Sequence, residues 1–182
     1  MLRNLYPQIY VDSLRNLPLE WLWEKGIRAF ILDLDNTLTE WNSYEVPEDL
    51  KAWLAEVKER GFRVCLLSNN GRHRVKKVAD PLGVPYVPRA GKPRRRSFLR
   101  AVEMLKARPE ETAVVGDQVF TDVFGGNRCG LFTVLVKPLA QREFLGTRLM
   151  RRLERLAVKK IEEAVRNGKI NVFAVRQNEL RE

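Results

Sequence analysis

Hydrophobic residues in this chain follow two patterns that alternate along its length. Short, continuous apolar runs rich in β-branched residues predict strands at residues 28–33, 62–67, 84–87, 113–115 and 131–136. Between them, apolar residues recur every three to four positions, as on one face of a helix. Leu14, Leu17, Trp21 and Leu22 predict a helix over residues 12–25, with Asp12 or Ser13 as its cap and Gly26 as its stop. Leu50, Trp53, Leu54 and Val57 predict a second over residues 47–60, where Pro47 stands at the start and Gly61 just past the end. Further helices are predicted over 72–80, 94–106 and 120–127. Strands that are apolar throughout are buried on both faces. Their alternation with helices therefore predicts an α/β fold, a parallel sheet in three α/β/α layers of Rossmann-like type. Ligands of such sheets bind beyond the carboxyl ends of the strands.

The polar motifs fall at those ends. Asp33-Leu34-Asp35-Asn36-Thr37-Leu38 follows the apolar stretch Ala29-Phe30-Ile31-Leu32. Carboxylates at i and i+2 leave a strand edge in the same direction, and two such charges repel unless a cation or a proton lies between them. The run suits a Mg2+ site with an aspartate nucleophile beside an acid/base; strand ends also carry Asp and Asn simply as turn residues. Ser68-Asn69-Asn70-Gly71 follows the second strand and offers hydroxyl, amide and backbone donors for phosphate oxygens. Gly91-Lys92-Pro93 places a cation at a helix start. Gly116-Asp117-Gln118 with Thr121-Asp122 follows the fourth predicted strand and supplies acids for a Mg2+ shell.

In this order, the four segments resemble the motifs of the haloacid dehalogenase superfamily of phosphotransferases, whose Asp-x-Asp-x-Thr is met by Asp33, Asp35 and Thr37. The resemblance implies that Asp33 attacks phosphorus to form an aspartyl-phosphate, and that Asp35 protonates the leaving oxygen and then deprotonates water. It implies that Mg2+ is held by Asp33, the Asp35 main-chain carbonyl and Asp117, with Asp122 behind them. Asn36, Thr37, Ser68, Asn69 and Lys92 would hold the phosphoryl group. The acid at Asp35 favours phosphate monoester hydrolysis over dehalogenation. Leu5-Tyr6-Pro7, Gly26-Ile27-Arg28 and Trp41 add a resemblance to the capless YqeG-type phosphatases of subfamily IIIA, over about residues 5–140. Those proteins are similar to phosphatidylglycerophosphate phosphatases, which implies hydrolysis of that lipid to phosphatidylglycerol. Residues 1–140 then form a phosphatase domain with no room for an inserted cap, and 141–182 a basic helix and tail appended to it. Trp41 is a candidate to line the substrate entrance.

Charge sharpens the expected substrate. The 182-residue chain has a net charge of +10, which favours a polyanionic partner: a phosphorylated lipid at an anionic membrane, with a soluble phosphometabolite, nucleic-acid ends as the second choice, or a non-catalytic phosphate- or RNA-binding role as the alternatives. Residues 89–108 carry a net +7 and residues 137–182 a net +6. Residues 142–167 predict one helix stopped by Gly168. Leu145, Leu149, Leu153, Leu156, Ala157, Ile161 and Ala164 form its stripe, with Arg148, Arg151, Arg152, Arg155, Lys159 and Lys160 on the other faces. A basic amphipathic helix lies on anionic membranes; an ordinary helix packed on the sheet has the same pattern. Residues 170–175 could add an edge strand or bind a partner.

The sequence shows no run of about 18 apolar residues and no apolar signal-peptide core at its start. Together these point to a cytoplasmic protein that can sit peripherally on the inner face of a membrane. Cys65 and Cys129 lack metal-ligand spacing and read as reduced structural thiols. His73, the sole histidine, cannot build a histidine metal cage, and its place among Arg72, Arg74, Lys76 and Lys77 reads as an exposed helix position rather than a member of a Ser-His-Asp triad. Gly125-Gly126-Asn127 lacks Rossmann spacing and reads as a close-packing site.

Overall fold

A computed structural model of the protein describes residues 2–40, 43–139 and 148–173. Seven strands, β1 (Ile9–Val11), β2 (Ala29–Leu32), β3 (Arg63–Leu67), β4 (Tyr86–Val87), β5 (Thr112–Gly116), β6 (Phe132–Val136) and β7 (Asn171–Phe173), form one sheet in the order β4-β3-β2-β5-β6-β1-β7. Every pairing is parallel. The helices are α1 (Leu19–Glu24), α2 (Glu48–Glu59), α3 (Arg72–Leu82), α4 (Arg95–Met104), α5 (Phe124–Asn127) and α6 (Arg148–Arg166).

The period-2 alternation of the central strands divides the core into two layers. Phe30, Leu32, Val64, Leu66, Ala113 and Val115 face α1, α2 and α3 through Leu22, Leu50, Leu54, Val57, Val75 and Val78. Ala29, Ile31, Cys65, Leu67 and Val114 face α4 through Phe98, Ala101 and Val102. Leu135 joins Ile161 and Ala164 of α6, together with Val119 and Val123, in a third cluster. Both cysteines are free and buried, and burial pushes the Cys65 thiol up to about 12.

From β2 the chain winds outward through β3 and β4. It then returns to the other side of β2 for β5 and β6. The reversal lies between β2 and β5, where strand ends leave a crevice for ligands. Leu32 pairs with Val115 there, so Asp33 and Asp117 emerge side by side. Among the described residues, α2 and β3 are the only regular elements between Thr39 and Ser68, and α3 and β4 the only ones between Gly71 and Gly91. Among the described residues, the carboxyl edge of the sheet therefore carries no inserted cap.

Several expected elements differ. The helix predicted over 12–25 is broken in two. Ser13 caps a 3-10 turn at Leu14–Asn16, Leu17 is extended, and α1 starts at Leu19. Pro18 is the cause, because its ring disfavours helical backbone at the residue before it. The helix predicted over 120–127 opens instead as a π-helical turn, Val119–Val123, before α5. The three-residue β1 was not predicted. Gln8 extends its pairing with β6, its Oε1 accepting from Thr133 N at 2.6 Å. At the other terminus, β7 is an edge strand beside β1.

In α6 the buried face is rotated from the predicted stripe. Glu154, Ile161 and Ala164 are buried and Ala157, Val158 and Val165 partly so, whereas Leu153 and Leu156 are 40% and 58% exposed. The register that meets Leu135 and Val119 runs 154, 157/158, 161, 164/165, one position out of phase with those two leucines. Leu145 and the predicted helix start at 142 lie outside the described residues, as does the side chain of Leu149. Among the described residues no helix is long and apolar enough to cross a membrane.

The glycines at 125 and 126 do serve close packing. A Cβ on Gly126 would stand 2.3 Å from Val114 Cγ1, and one on Gly125 would stand 2.4 Å from Phe98 Cε2.

Candidate active site

Four loops meet at the β2–β5 crevice. Asp33 is the first residue beyond β2, its N–H still donating to Val115 O at 2.9 Å. Ser68 is the first beyond β3, and its backbone holds Val87 O and Ala90 N at 3.1 and 3.0 Å. The segment leaving β4 is fastened to the Ser68 loop. Arg89 N donates to Asn70 O at 2.8 Å, and Lys92 N donates to Asn69 Oδ1 at 2.7 Å. These bonds send the Lys92 side chain back over the sheet edge, where its Nζ reaches Asp33 Oδ1 at 2.5 Å and Asp122 Oδ1 at 2.7 Å. Asp122 is brought there by the turn after β5. Its Oδ2 accepts from Gln118 N and from Thr121 Oγ1, each at 3.3 Å. It lies against Gly116, where a Cβ would sit 2.3 Å from its Cγ.

Asp33, Asp117 and Asp122 can each turn one carboxylate oxygen into a space where all three lie within 4.8 Å. One ammonium faces three carboxylates. Burial, with Asp122 adding to it, pushes the Asp33 carboxyl up to about 7 despite Lys92. Burial and the charges of Asp33 and Asp122 raise Asp117 well above the ordinary carboxylate range. Burial works to lower the Lys92 ammonium, but Asp122 and Asp33 outweigh it and the lysine is held in its charged form. Asp117 Oδ1 is buried without a hydrogen-bond partner. An excess of buried negative charge with an oxygen left over fits a divalent cation.

Asp35 is turned elsewhere. Arg74 of α3 grips its Oδ1 through Nη2 at 2.5 Å and Nε at 3.2 Å, while Asn70 Nδ2 donates to Oδ2. The two carboxylates thus have separate partners, lysine for Asp33 and arginine for Asp35. Asn36 takes φ +58 in the loop between them. Asn36 Oδ1, Thr37 Oγ1 and Thr39 Oγ1 are all buried without partners. Ser68 is buried, and its Oγ accepts from Asn70 N at 3.1 Å, leaving the hydroxyl proton to donate. Asn69 is exposed, with its acceptor oxygen engaged on the Lys92 backbone. Trp41 lies outside the described residues.

A family model for haloacid dehalogenase-like hydrolases matches residues 39–130, half of the chain. A protein of Bacillus subtilis named probable phosphatase YqeG is 40% identical over 156 residues, which are 85% of this chain and 91% of that protein. The chain belongs to the haloacid dehalogenase-like hydrolases. It is a phosphatase of that family. Another relative, the chloroplastic/mitochondrial phosphatidylglycerophosphate phosphatase 1 of Arabidopsis thaliana, is 28% identical over 165 residues, 85% of this chain but only 47% of that protein's length. Among solved structures, the fold matches the 3-deoxy-D-manno-octulosonate 8-phosphate phosphatase of Moraxella catarrhalis, whose crystals hold magnesium and phosphate. The TM-score is 0.50 and the identity 14%, over 82% of this chain and 98% of that one.

This haloacid dehalogenase-like chain gathers Asp33, Ser68, Lys92, Asp117 and Asp122 at one sheet edge, with Asp35 beside them. Arg74, which holds Asp35 together with Asn70, was not singled out from the sequence, and Asn70 was named there only as part of the Ser68–Gly71 turn. Arg74 stands in a basic run, Arg72-His73-Arg74, that reads as a solvated helix face, and His73 beside it is indeed exposed. Only the adjacency of β2 and β3 turns Arg74 inward.

Proposed function

We propose that this phosphatase uses Mg2+ and an Asp33 nucleophile, and that it removes the terminal phosphate of phosphatidylglycerophosphate at an anionic lipid surface. The observation that carries the chemistry is the buried Lys92–Asp33 pair at 2.5 Å beside the unpartnered Asp117 oxygen. Asp33 and Asp117 have the oxygens to hold the cation, and the resemblance to the superfamily adds the Asp35 carbonyl. Asp122 is engaged by Lys92, Gln118 and Thr121 and stands behind them. When bound, the cation supplies positive charge that lets a carboxylate meet an anionic ester.

An Asp33 oxygen attacks phosphorus, and the bond from phosphorus to the alcohol oxygen breaks. Asp35, oriented by Arg74 and Asn70, gives that oxygen a proton. Asp35 then takes a proton from water as the water oxygen attacks phosphorus, releasing inorganic phosphate and the Asp33 carboxylate. Lys92 neutralises phosphoryl charge and keeps Asp33 aimed. The Ser68 hydroxyl, together with Asn36, Thr37 and the remaining amide of Asn69, offers donors to the phosphoryl oxygens.

Three observations support the lipid. The sheet edge lacks a roof among the described residues, which suits a phosphate displayed on something large. Leu153 and Leu156 stand exposed on α6 beside exposed Arg152, Lys159 and Lys160. Apolar side chains interleaved with basic ones suit an anionic bilayer better than nucleic acid. The third support is the likeness to phosphatidylglycerophosphate phosphatases of Arabidopsis thaliana and Chlamydomonas reinhardtii, each at 28% identity.

The test is phosphate release from phosphatidylglycerophosphate in mixed micelles, with Mg2+ or EDTA, for wild type and Asp33→Asn, beside a panel of soluble phosphate esters. Metal-dependent lipid turnover that is lost in the variant and exceeds the panel is expected. Turnover of soluble esters alone keeps the Asp33 chemistry and removes the lipid.

A further inference from the structure

Glu154 is the buried acid of α6; Glu162 and Glu163 on the same helix are exposed. It interrupts a face that is otherwise apolar, since Ala157, Ile161 and Ala164 follow it at helical spacing. Its carboxylate accepts from Val119 N at 2.5 Å and from Phe120 N at 3.4 Å. These two N–H groups open the π-helical turn Val119–Val123, so nothing within the turn receives them. Gln118, in the capping position, makes no side-chain bond to the turn's backbone. A carboxylate from a helix 35 residues away thus does what a local cap usually does.

Stability alone is a poor reason for this acid. Burial pushes its carboxyl up to about 7, against the two backbone donors, and Asp122 pushes in the same direction as burial. A leucine in its place would avoid burying a carboxylate, though it would leave the Val119 and Phe120 N–H groups without their acceptor. What the acid does is fix the turn. Asp117 lies two residues before Val119, and Asp122 lies within the turn. Asp122 has no slack against Gly116 and shares Lys92 with Asp33. A small shift of the turn therefore moves two of the three clustered acids relative to the third.

We infer that Glu154 is a positioning residue for the phosphatase reaction, tying α6 to the turn that sets the spacing of Asp117 and Asp122 about the cation. The inference rests on the cation reading proposed above. It also makes the C-terminal helix part of the catalytic architecture.

The experiment compares Glu154→Leu, Glu154→Gln and Glu154→Asp with Ile161→Ala, which loosens α6 without touching the turn. Two readouts are taken: kcat and KM on p-nitrophenyl phosphate, and the Mg2+ concentration that half-saturates the rise in thermal midpoint, measured without substrate. Groups behind a metal's ligands typically change affinity or activity by about 10–100-fold. Glu154→Leu should therefore need at least about tenfold more Mg2+ and lose kcat more than KM changes, with its fold intact by circular dichroism. Glu154→Gln keeps an acceptor for Val119 N–H and should stay near wild type. Glu154→Asp withdraws the oxygens by one methylene and should follow Glu154→Leu. Ile161→Ala should lower the thermal midpoint and leave both kcat and the Mg2+ requirement unchanged.

A wild-type Mg2+ requirement in Glu154→Leu, or the same shift in Ile161→Ala, overturns the inference. If Glu154→Leu does not fold, the contrast between Gln and Asp decides, and equal values overturn it. A wild type whose midpoint ignores Mg2+ sinks the cation reading together with this one. A responsive wild type whose Glu154 variants all respond at the same Mg2+ concentration sinks only the role of Glu154.

Discussion

Replacing Lys92 with methionine keeps most of the side-chain volume and removes the charge that the cluster is built around. Lys92, Asp33 and Asp122 have side chains only 4%, 6% and 1% exposed, so water cannot take over the lost contacts. Truncating one partner of a buried pair typically costs about 3–5 kcal/mol, because the other charge is left unpaired. Here two carboxylates are stranded, with Asp117 beside them. For a chain of this size each kcal/mol moves the thermal midpoint by about 2–4 °C, so Lys92→Met should fall by about 6–20 °C in EDTA near neutral pH.

Two controls separate charge from packing. Asp122→Asn keeps an oxygen for the ammonium and removes one of three negative charges, so it should cost less than the lysine change. The Lys92→Met deficit should also shrink in acid, where the stranded carboxylates take up protons, and grow as pH rises through neutrality. The assay is thermal and urea unfolding followed by circular dichroism, on metal-free protein across that pH range. A deficit within about 1 kcal/mol, the size of an exposed pair, and flat with pH would refute the reasoning. Such a result would mean that the cluster is hydrated and that Lys92 serves only substrate.

The raised Asp33 carboxyl makes a linked prediction. Its pKa climbs from an ordinary 3.8 to about 7 on folding, so the folded state holds the extra proton. Its contribution to stability is complete below about pH 4 and is lost as pH rises through about 7. The wild-type midpoint in EDTA, taken relative to Asp33→Asn, should fall over that window, while Mg2+ should stabilise most at its upper end; a rising difference would contradict the assignment. Arg74→Met should slow esters of aliphatic alcohols by about tenfold or more, because acid catalysis by Asp35 is worth about 10²–10⁴. On p-nitrophenyl phosphate kcat/KM should be spared, because it ends at loss of a leaving group that needs no proton, while kcat still feels the water step that Asp35 serves; equal losses of kcat/KM on both would detach Arg74 from proton transfer. Gly126→Ala should cost about 1–3 kcal/mol by urea denaturation from its clash with Val114. Gly71→Ala, with nothing within 4 Å of the added carbon, should stay within about 0.5 kcal/mol of wild type.

The sheet and the strand-end motifs were legible because each is written locally. A buried parallel strand needs four or five apolar residues in a row, and the polar residue that follows must stand at its carboxyl end. Asp33, Ser68 and Asp117 follow from that rule alone, and the winding order brings them together. Lys92 was legible from its setting, a cation between glycine and proline at a helix start. The short β1 was not, because three residues carry no periodicity and its pairing depends on Gln8 reaching Thr133 across the chain. The break at Pro18 was readable in principle, since proline restricts the residue before it, but the apolar spacing of Leu14, Leu17, Trp21 and Leu22 masked it.

Arg74 and Glu154 mark where local reading stops, and they do so for the same physical reason. Each is a charged residue on a helix whose periodicity assigns it to solvent, and each is turned inward by a group of opposite need elsewhere in the fold. For Arg74 the need is a carboxylate 39 residues earlier; for Glu154 it is a pair of backbone N–H groups in a turn with no cap of its own. Neither partner is visible at helical spacing. In α6 the consequence reaches the whole helix. A stripe drawn through Leu153 and Leu156 puts Glu154 at its edge, whereas the bond to Val119 pulls the face round by one position and leaves the two leucines outside. On the proposed reading one buried carboxylate has two roles: it orders the acidic turn within, and it leaves on the surface the apolar and basic side chains proposed to meet an anionic membrane. If both roles hold, loss of Glu154 should weaken catalysis on soluble esters, while loss of Leu156 should weaken it only on lipid. That difference between the two substitutions is what a helix acting as both brace and anchor requires.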